Sequence, residues 1–230
     1  MTADFERYSR NMQAFSREEV EAMHEKSVCV IGCGGLGGYV AMSLARFGIG
    51  RLVLADGDVF AASNLNRQLF CKETNLGKNK ALEAKSALAE INSETRIRVY
   101  AHMLTEENCG EIIAGCDVAV DCLDNIPARI LLEAGCKDAG IPLIHGAIGG
   151  FYGQVCCVFP GDDVLSALYG GRASAPADNA AGNPPFTPQL VAAWQCSEAL
   201  KLLAGRKDVL RKKLLIIDLL LNTTHTIDIA

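Results

Sequence analysis

The stretch Val28-Cys29-Val30-Ile31-Gly32-Cys33-Gly34-Gly35-Leu36-Gly37 constrains the fold of this chain more than any other. Its apolar start predicts a buried strand, and Gly32, Gly34 and Gly37 have the G-x-G-x-x-G spacing of a strand that turns sharply into a helix. Side chains at such positions would hold a phosphate away from the backbone N–H groups of the helix start, where the helix dipole favours an anion. A second apolar run, Leu52 to Ala55, ends in Asp56, where a carboxylate can reach a ribose hydroxyl. The pattern predicts a nucleotide site. It leaves open whether the nucleotide is a redox cofactor or a substrate.

Strand and helix then alternate. Ser16-Arg17-Glu18-Glu19 is a capping-box pattern that opens a short helix to about Lys26, and residues 1–26 read as an N-terminal helical arm. Helices are expected over Leu36 to Phe47, Lys78 to Asn92, from Thr105, and over Ala128 to Ala139. Between them fall strands at Arg51 to Asp56, Arg96 to Ala101, Asp117 to Asp121 and Pro142 to His145. That order is the signature of a doubly wound parallel sheet. Beyond residue 146 the pattern changes to a strand over Phe151 to Phe159 with no crossover helix before it. A long loop at about 170–188, rich in Gly, Ala, Asn and Pro, leads to an apolar helix from Gln189 to Leu203. Leu214 to Leu220 and Thr224 to Ile229 read as a hairpin around Asn222. The fold class expected is α/β, a mostly parallel sheet extended by antiparallel C-terminal strands, with 1–230 as a single domain.

Composition narrows the function. A net charge of −5 argues against a nucleic-acid surface. No apolar run approaches the length of a membrane span and the first ten residues do not resemble a signal peptide, so a cytoplasmic protein is expected. The ten cysteines include no C-x-x-C pair, so no zinc site is expected, and each reads as a small buried hydrophobe.

Several polar residues exceed what a nicotinamide-dependent dehydrogenase needs. Ser63-Asn64-Leu65-Asn66-Arg67-Gln68 follows the second strand, Gly77-Lys78-Asn79-Lys80 opens the next helix, and Asp121-Cys122-Leu123-Asp124-Asn125 ends the fourth strand. All fall on the side of the sheet where such folds bind ligands. Arg67, Lys80 and Asp124 would then converge beside the phosphate turn, and two cations with a carboxylate suit a triphosphate with Mg²⁺. Arg129 reads equally as a site residue or helix surface, His145 as a hydrogen-bonded structural histidine, and Trp194 as core.

Together with Arg7-Tyr8-Ser9-Arg10-Asn11 and Asp56-Gly57-Asp58, these motifs resemble the ThiF/MoeB/HesA family of the ubiquitin-activating superfamily over nearly the whole chain. The resemblance implies a Rossmann-like fold and ATP-dependent adenylation of the C-terminal glycine carboxylate of a small ubiquitin-like sulfur carrier ending in Gly-Gly, with release of pyrophosphate. It implies that Gly32, Gly34, Gly35 and Gly37 form the phosphate turn, and that Asp56, with Asp58 beside it, accepts from ribose. It implies that Ser63, Asn64, Arg67, Gln68, Lys80 and Asn125 surround the phosphates and that Asp124 holds Mg²⁺. Arg10 resembles an arginine that relatives insert into a neighbouring subunit's site, which implies a homodimer. Arg10, Arg67, Lys80 and Asp124 are the catalytic candidates.

The chain also departs from the family. Some relatives carry a reactive cysteine in the loop before the last large helix, whereas residues 170–188 contain none and Cys196 lies beyond them in the helix. The activated carrier is therefore expected to pass to a separate sulfur donor such as a cysteine desulfurase, for thiamin or molybdenum or tungsten cofactor synthesis. Competing readings are adenylation of another carboxylate, as in tRNA threonylcarbamoyladenosine dehydration or peptide maturation, an NAD-dependent oxidoreductase, and a non-catalytic nucleotide-binding scaffold.

Overall fold

The computed structural model describes residues 3–170 and 181–229. Most of the long loop expected at 170–188 therefore lies outside the described residues. Eight strands form one sheet: β1 (Ser27–Ile31), β2 (Arg51–Ala55), β3 (Arg96–Tyr100), β4 (Val118–Asp121), β5 (Leu143–Gly149), β6 (Tyr152–Val158), β7 (Lys213–Asp218) and β8 (Thr223–Asp228). Their order across the sheet is β3-β2-β1-β4-β5-β6-β7-β8. The first five run parallel and the last three pair antiparallel. The chain reverses its direction of travel across the sheet between β1 and β4, which opens a crevice beyond their carboxyl ends.

Both faces of the sheet are covered, which explains why the parallel strands read as unbroken apolar runs rather than as alternation. Val28 and Val30 of β1 point to one layer and Cys29 and Ile31 to the other. The first layer holds α2 (Gly37–Phe47), α3 (Lys80–Ile91) and α7 (Phe186–Leu203), and Trp194 of α7 packs half-buried against it. The second holds α4 (Glu106–Ile113), α5 (Ile126–Ala139) and the short α6 (Val164–Tyr169). Near the N-terminus, a 3₁₀ segment over Ala3–Asn11 precedes α1 (Arg17–Met23). Both arms of the capping box on α1 form: Glu19 N–H donates to Ser16 Oγ at 3.2 Å and Ser16 N–H to Glu19 Oε2 at 2.7 Å.

Three details differ from the sequence expectation. Strand β5 continues past His145 to Gly149, because a tight hairpin lets seven of its residues pair with β6. Helix α7 starts at Phe186 rather than Gln189, with Pro188 in its first turn, where a missing N–H costs little. Helix α6 was not expected at all. The Glu133 carboxylate of α5 caps it, accepting from Leu165 N–H, Ser166 N–H and Ser166 Oγ.

All ten cysteines are free, nine of them buried and Cys71 partly so. Cys196 Sγ sits 3.7 Å from the Val40 carbonyl, and burial pushes its thiol up to about 12. Among the described residues no group of three or more His, Cys, Asp or Glu side chains is arranged to hold a metal ion. Nor is any helix long and apolar enough to cross a membrane.

Candidate active site

A cleft of about 400 Å³ opens at the carboxyl ends of β1, β2 and β4. Its inner wall is the glycine turn. Gly32 has φ +94° and packs against the Cys122 backbone, so any Cβ there would strike the Cys122 carbonyl. A Cβ at Gly37 would collide with the Gly32 carbonyl, so this glycine closes the turn from behind rather than lining the cleft. Gly34 and Gly35 line the cleft itself, with the Gln68 side chain packed beside the first and those of Arg67 and Pro188 beside the second.

Asp56 organises this wall. Its Oδ2 accepts from Cys33 N–H at 2.7 Å and its Oδ1 from Asp58 N–H at 2.8 Å, which ties the glycine turn to the end of β2. Burial raises its pKa above the usual 3.8, and the two backbone donors only partly offset that. Asn79, the N-cap of α3, fixes the same region by donating to the Asp56 and Asp58 carbonyls at 2.9 and 3.2 Å. Lys80 is thereby delivered into the cleft, where its ammonium meets Asp58 Oδ2 at 3.0 Å. The lysine is nearly buried and the aspartate half exposed, so the pair is an asymmetric one with its carboxylate facing solvent.

The segment after β2 supplies the opposite side. Arg67 Nη1 donates to the Ser63 carbonyl and to Asn66 Oδ1, both at 3.0 Å. Gln68 is buried, and its Oε1 has no protein partner among the described residues. The residue lines the cleft beside Gly34, with its amide nitrogen nearest that glycine. Ser63 and Asn64 do not line the cleft. The Ser63 carbonyl holds Arg67, and Asn64 Oδ1 accepts from Ala61 N–H at 3.0 Å.

Asp124 and Asn125 enter from the end of β4. Asn125 caps α5 by accepting from Ala128 N–H at 2.9 Å. Asp124 is exposed on the cleft rim, where its Oδ1 accepts from the Asn125 amide at 3.3 Å. One free carboxylate suits a magnesium ion that completes its shell with phosphate oxygens and water, and does not suit an all-protein cage. Arg10 lies exposed in the last turn of the 3₁₀ segment and does not line this cleft.

The structure therefore brings Arg67, Lys80, Asp124, Asp56, Asp58, Gln68 and Asn125 around the glycine turn. It also supplies residues that the sequence did not single out. Met103 and Leu104, just past β3, and Leu123 give the cleft an apolar flank, and the position after a parallel strand is the one signal that could have flagged them. Asn183, whose carbonyl accepts from Asn66 Nδ2 at 2.9 Å, arrives from a remote segment with no sequence cue. Arg129 is buried and lines the cleft, which removes the helix-surface reading. His145 is fully buried and bonded to Asp121 and Tyr169, as a structural histidine.

Comparison with known proteins identifies the family. A SAMP-activating enzyme E1 of Haloferax volcanii is 34% identical over 96% of this chain and 84% of its own length. A molybdopterin-synthase adenylyltransferase of Salmonella typhimurium is 36% identical over 86% of this chain and 82% of its own. The adenylyltransferase and sulfurtransferase MOCS3-1 of Zea mays is 33% identical, and there the chain spans 47% of the relative. In fold, the chain superposes on the crystal structure of PaaA with a TM-score of 0.84, over 100% of this chain and 74% of that one. Escherichia coli MccB with ATP gives a TM-score of 0.80, over 97% and 71%. The profile of the ThiF family matches residues 8–230, and the chain belongs to that family.

Proposed function

We propose that this chain is an ATP-dependent adenylyltransferase that activates the C-terminal glycine carboxylate of a ubiquitin-like sulfur carrier. The observation that carries this reading is the convergence of Arg67, Lys80, Asp56 and Asp124 from separate loops on one glycine turn. Relatives named as SAMP-activating and molybdopterin-synthase adenylyltransferases support it.

In this reading the backbone at Gly34 and Gly35 cradles phosphate, Asp56 accepts from ribose, and Arg67 and Lys80 neutralise the triphosphate. Lys80 has donors left over from its contact with Asp58, since an ammonium carries three N–H groups. Asp124 is the residue that would hold magnesium, which when bound adds further charge neutralisation at the phosphates. The carrier carboxylate oxygen forms a bond to the α-phosphorus, the bond to the bridging oxygen breaks, and pyrophosphate leaves with that electron pair. Both reactants are anions, so the protein's share is positioning and electrostatic stabilisation, with no protein nucleophile.

No cysteine is assigned a covalent step in this reading: residues 170–188 lack one, and burial raises the thiol pKa of Cys196, of the cleft-lining Cys122 and of the partly buried Cys71. The sulfur is thus supplied by a separate donor, and the activated carrier serves cofactor synthesis in a cytoplasmic setting. In this reading Arg10, which is exposed and does not line its own cleft, completes the site of a second subunit in a homodimer, as the family resemblance implies. The decisive assay is exchange of labelled pyrophosphate into ATP, run with small carriers ending in Gly-Gly and with magnesium. Carrier-dependent exchange supports the reading. Tight NADH binding with no exchange would replace it with a redox function.

A further inference from the structure

Beneath the cleft floor lies a buried polar network that the adenylation chemistry leaves unused. Asp121 closes β4 and is fully buried, and its two carboxylate oxygens serve different partners. Oδ1 accepts from Leu123 N–H at 2.9 Å. Oδ2 lies 2.7 Å from His145 Nδ1 and 3.7 Å from Arg129 Nε. Arg129, one turn into α5, donates through Nη2 to the Leu123 carbonyl at 2.6 Å. A buried acid thus holds the N–H of Leu123 while a buried base holds its C=O. The residue that follows is Asp124.

The network extends to α6. The Tyr169 hydroxyl, on the last residue of that helix, meets His145 Nε2 at 3.1 Å, Arg129 Nη1 at 3.4 Å and the Gln154 amide. The Tyr169 ring also flanks the guanidinium, 5.8 Å from its centre. From α7, Gln195 Nε2 donates to the Asp121 carbonyl at 2.7 Å. Burial holds His145 neutral by pushing its pKa below the usual 6.5. Its Nδ1 proton therefore goes to Asp121, and Nε2 is left as an acceptor for the Tyr169 hydroxyl.

A loop residue beyond a strand has no ladder to fix it, yet a metal-holding carboxylate loses its value if it drifts by about an ångström. Burying an ion pair is costly, and a fold that buries one around a single peptide has spent that cost on geometry rather than on stability. We propose that Asp121, Arg129 and Tyr169 form a positioning clamp that fixes Leu123 and thereby sets the aim of the Asp124 carboxylate into the cleft. The proposal rests on the nucleotide reading above. Tyr169 is its informative member, because it does not line the cleft and reaches the Leu123 peptide through Arg129.

The test uses the full chain and Tyr169→Phe, which removes one oxygen, with Arg129→Lys as a second variant. Mn²⁺ affinity is measured by electron paramagnetic resonance in the presence of α,β-methylene-ATP, and nucleotide affinity is measured separately in EDTA. Tyr169→Phe should weaken Mn²⁺ binding by about threefold to tenfold, the range of one lost hydrogen bond. Its metal-free nucleotide affinity should match the wild type, while its unfolding midpoint should fall modestly because Arg129, His145 and Gln154 lose a buried partner. Arg129→Lys should lose about tenfold in Mn²⁺ affinity, as outer-shell changes do. In pyrophosphate exchange, excess Mg²⁺ should rescue Tyr169→Phe. Unchanged Mn²⁺ affinity in both variants would overturn the clamp while leaving the nucleotide reading intact. Equal losses with and without metal would also overturn it, since they mark a merely structural role. A wild-type chain that binds no nucleotide would remove both.

Discussion

Arg67 and Asp56 show how differently single side chains in this cleft are prepared. Arg67 keeps its guanidinium half-exposed and held only by a carbonyl and an amide, so its charge is available to an arriving polyanion. Arg67→Ala should cost about 3 kcal/mol of transition-state stabilisation, on the order of a hundredfold in pyrophosphate exchange, as for other electrostatic deletions. Asp56 is prepared by burial, which raises its pKa. A carboxyl that protonates more readily when folded loses its ribose-accepting form at a higher pH than usual. ATP affinity should therefore fall with acidification through a midpoint above 3.8, and titration calorimetry at stepped pH would show it. The same shift means that ionising Asp56 costs folding stability as pH rises from 3.8 through the folded value. At this scale the motif residues were legible because glycine spacing and strand-end position carry chemistry. Arg129 was not, because its role depends on Asp121 and Tyr169, which are distant in sequence.

The legible elements carry their own punctuation. Ser16 and Glu19 announce α1 and Gly48, at φ +101°, ends α2, whereas α3 is capped by Asn79, one residue inside the helix expected from Lys78. Helix α6 has no such mark. It is six residues long, and its cap is the Glu133 carboxylate, which comes from another helix. Glu133→Ala should leave two backbone donors and a hydroxyl without their partner, at about 1–3 kcal/mol. Urea unfolding would read that loss directly. Because α6 also carries Tyr169, the variant should further weaken Mn²⁺ binding more than it weakens metal-free nucleotide binding. The early start of α7 and the extension of β5 likewise follow from tertiary partners rather than from local propensity.

Across the whole molecule, the parallel half of the sheet builds the cleft and the antiparallel half extends the sheet beyond it. Alternating strand and helix made the parallel half readable, and the loss of crossover helices marked where it stops. Association between copies has a clear test. Arg10→Ala and Asp124→Ala should each be nearly inactive. Mixed dimers, allowed to exchange subunits, should recover exchange activity that neither shows alone, because one site then receives an intact Arg10 and an intact Asp124. No recovery on mixing would confine Arg10 to its own subunit.

One consequence follows from where the thiols lie. Nine of the ten are sealed inside, and the partly accessible one, Cys71, sits three residues past Gln68. A maleimide dye should attach there first, without mutagenesis, and burial of the sulfhydryl should make that labelling slow at neutral pH. The wild-type chain thus comes with a ready attachment point for a fluorophore three residues from a side chain that lines the cleft. A change in emission on adding ATP would follow ligand arrival in real time.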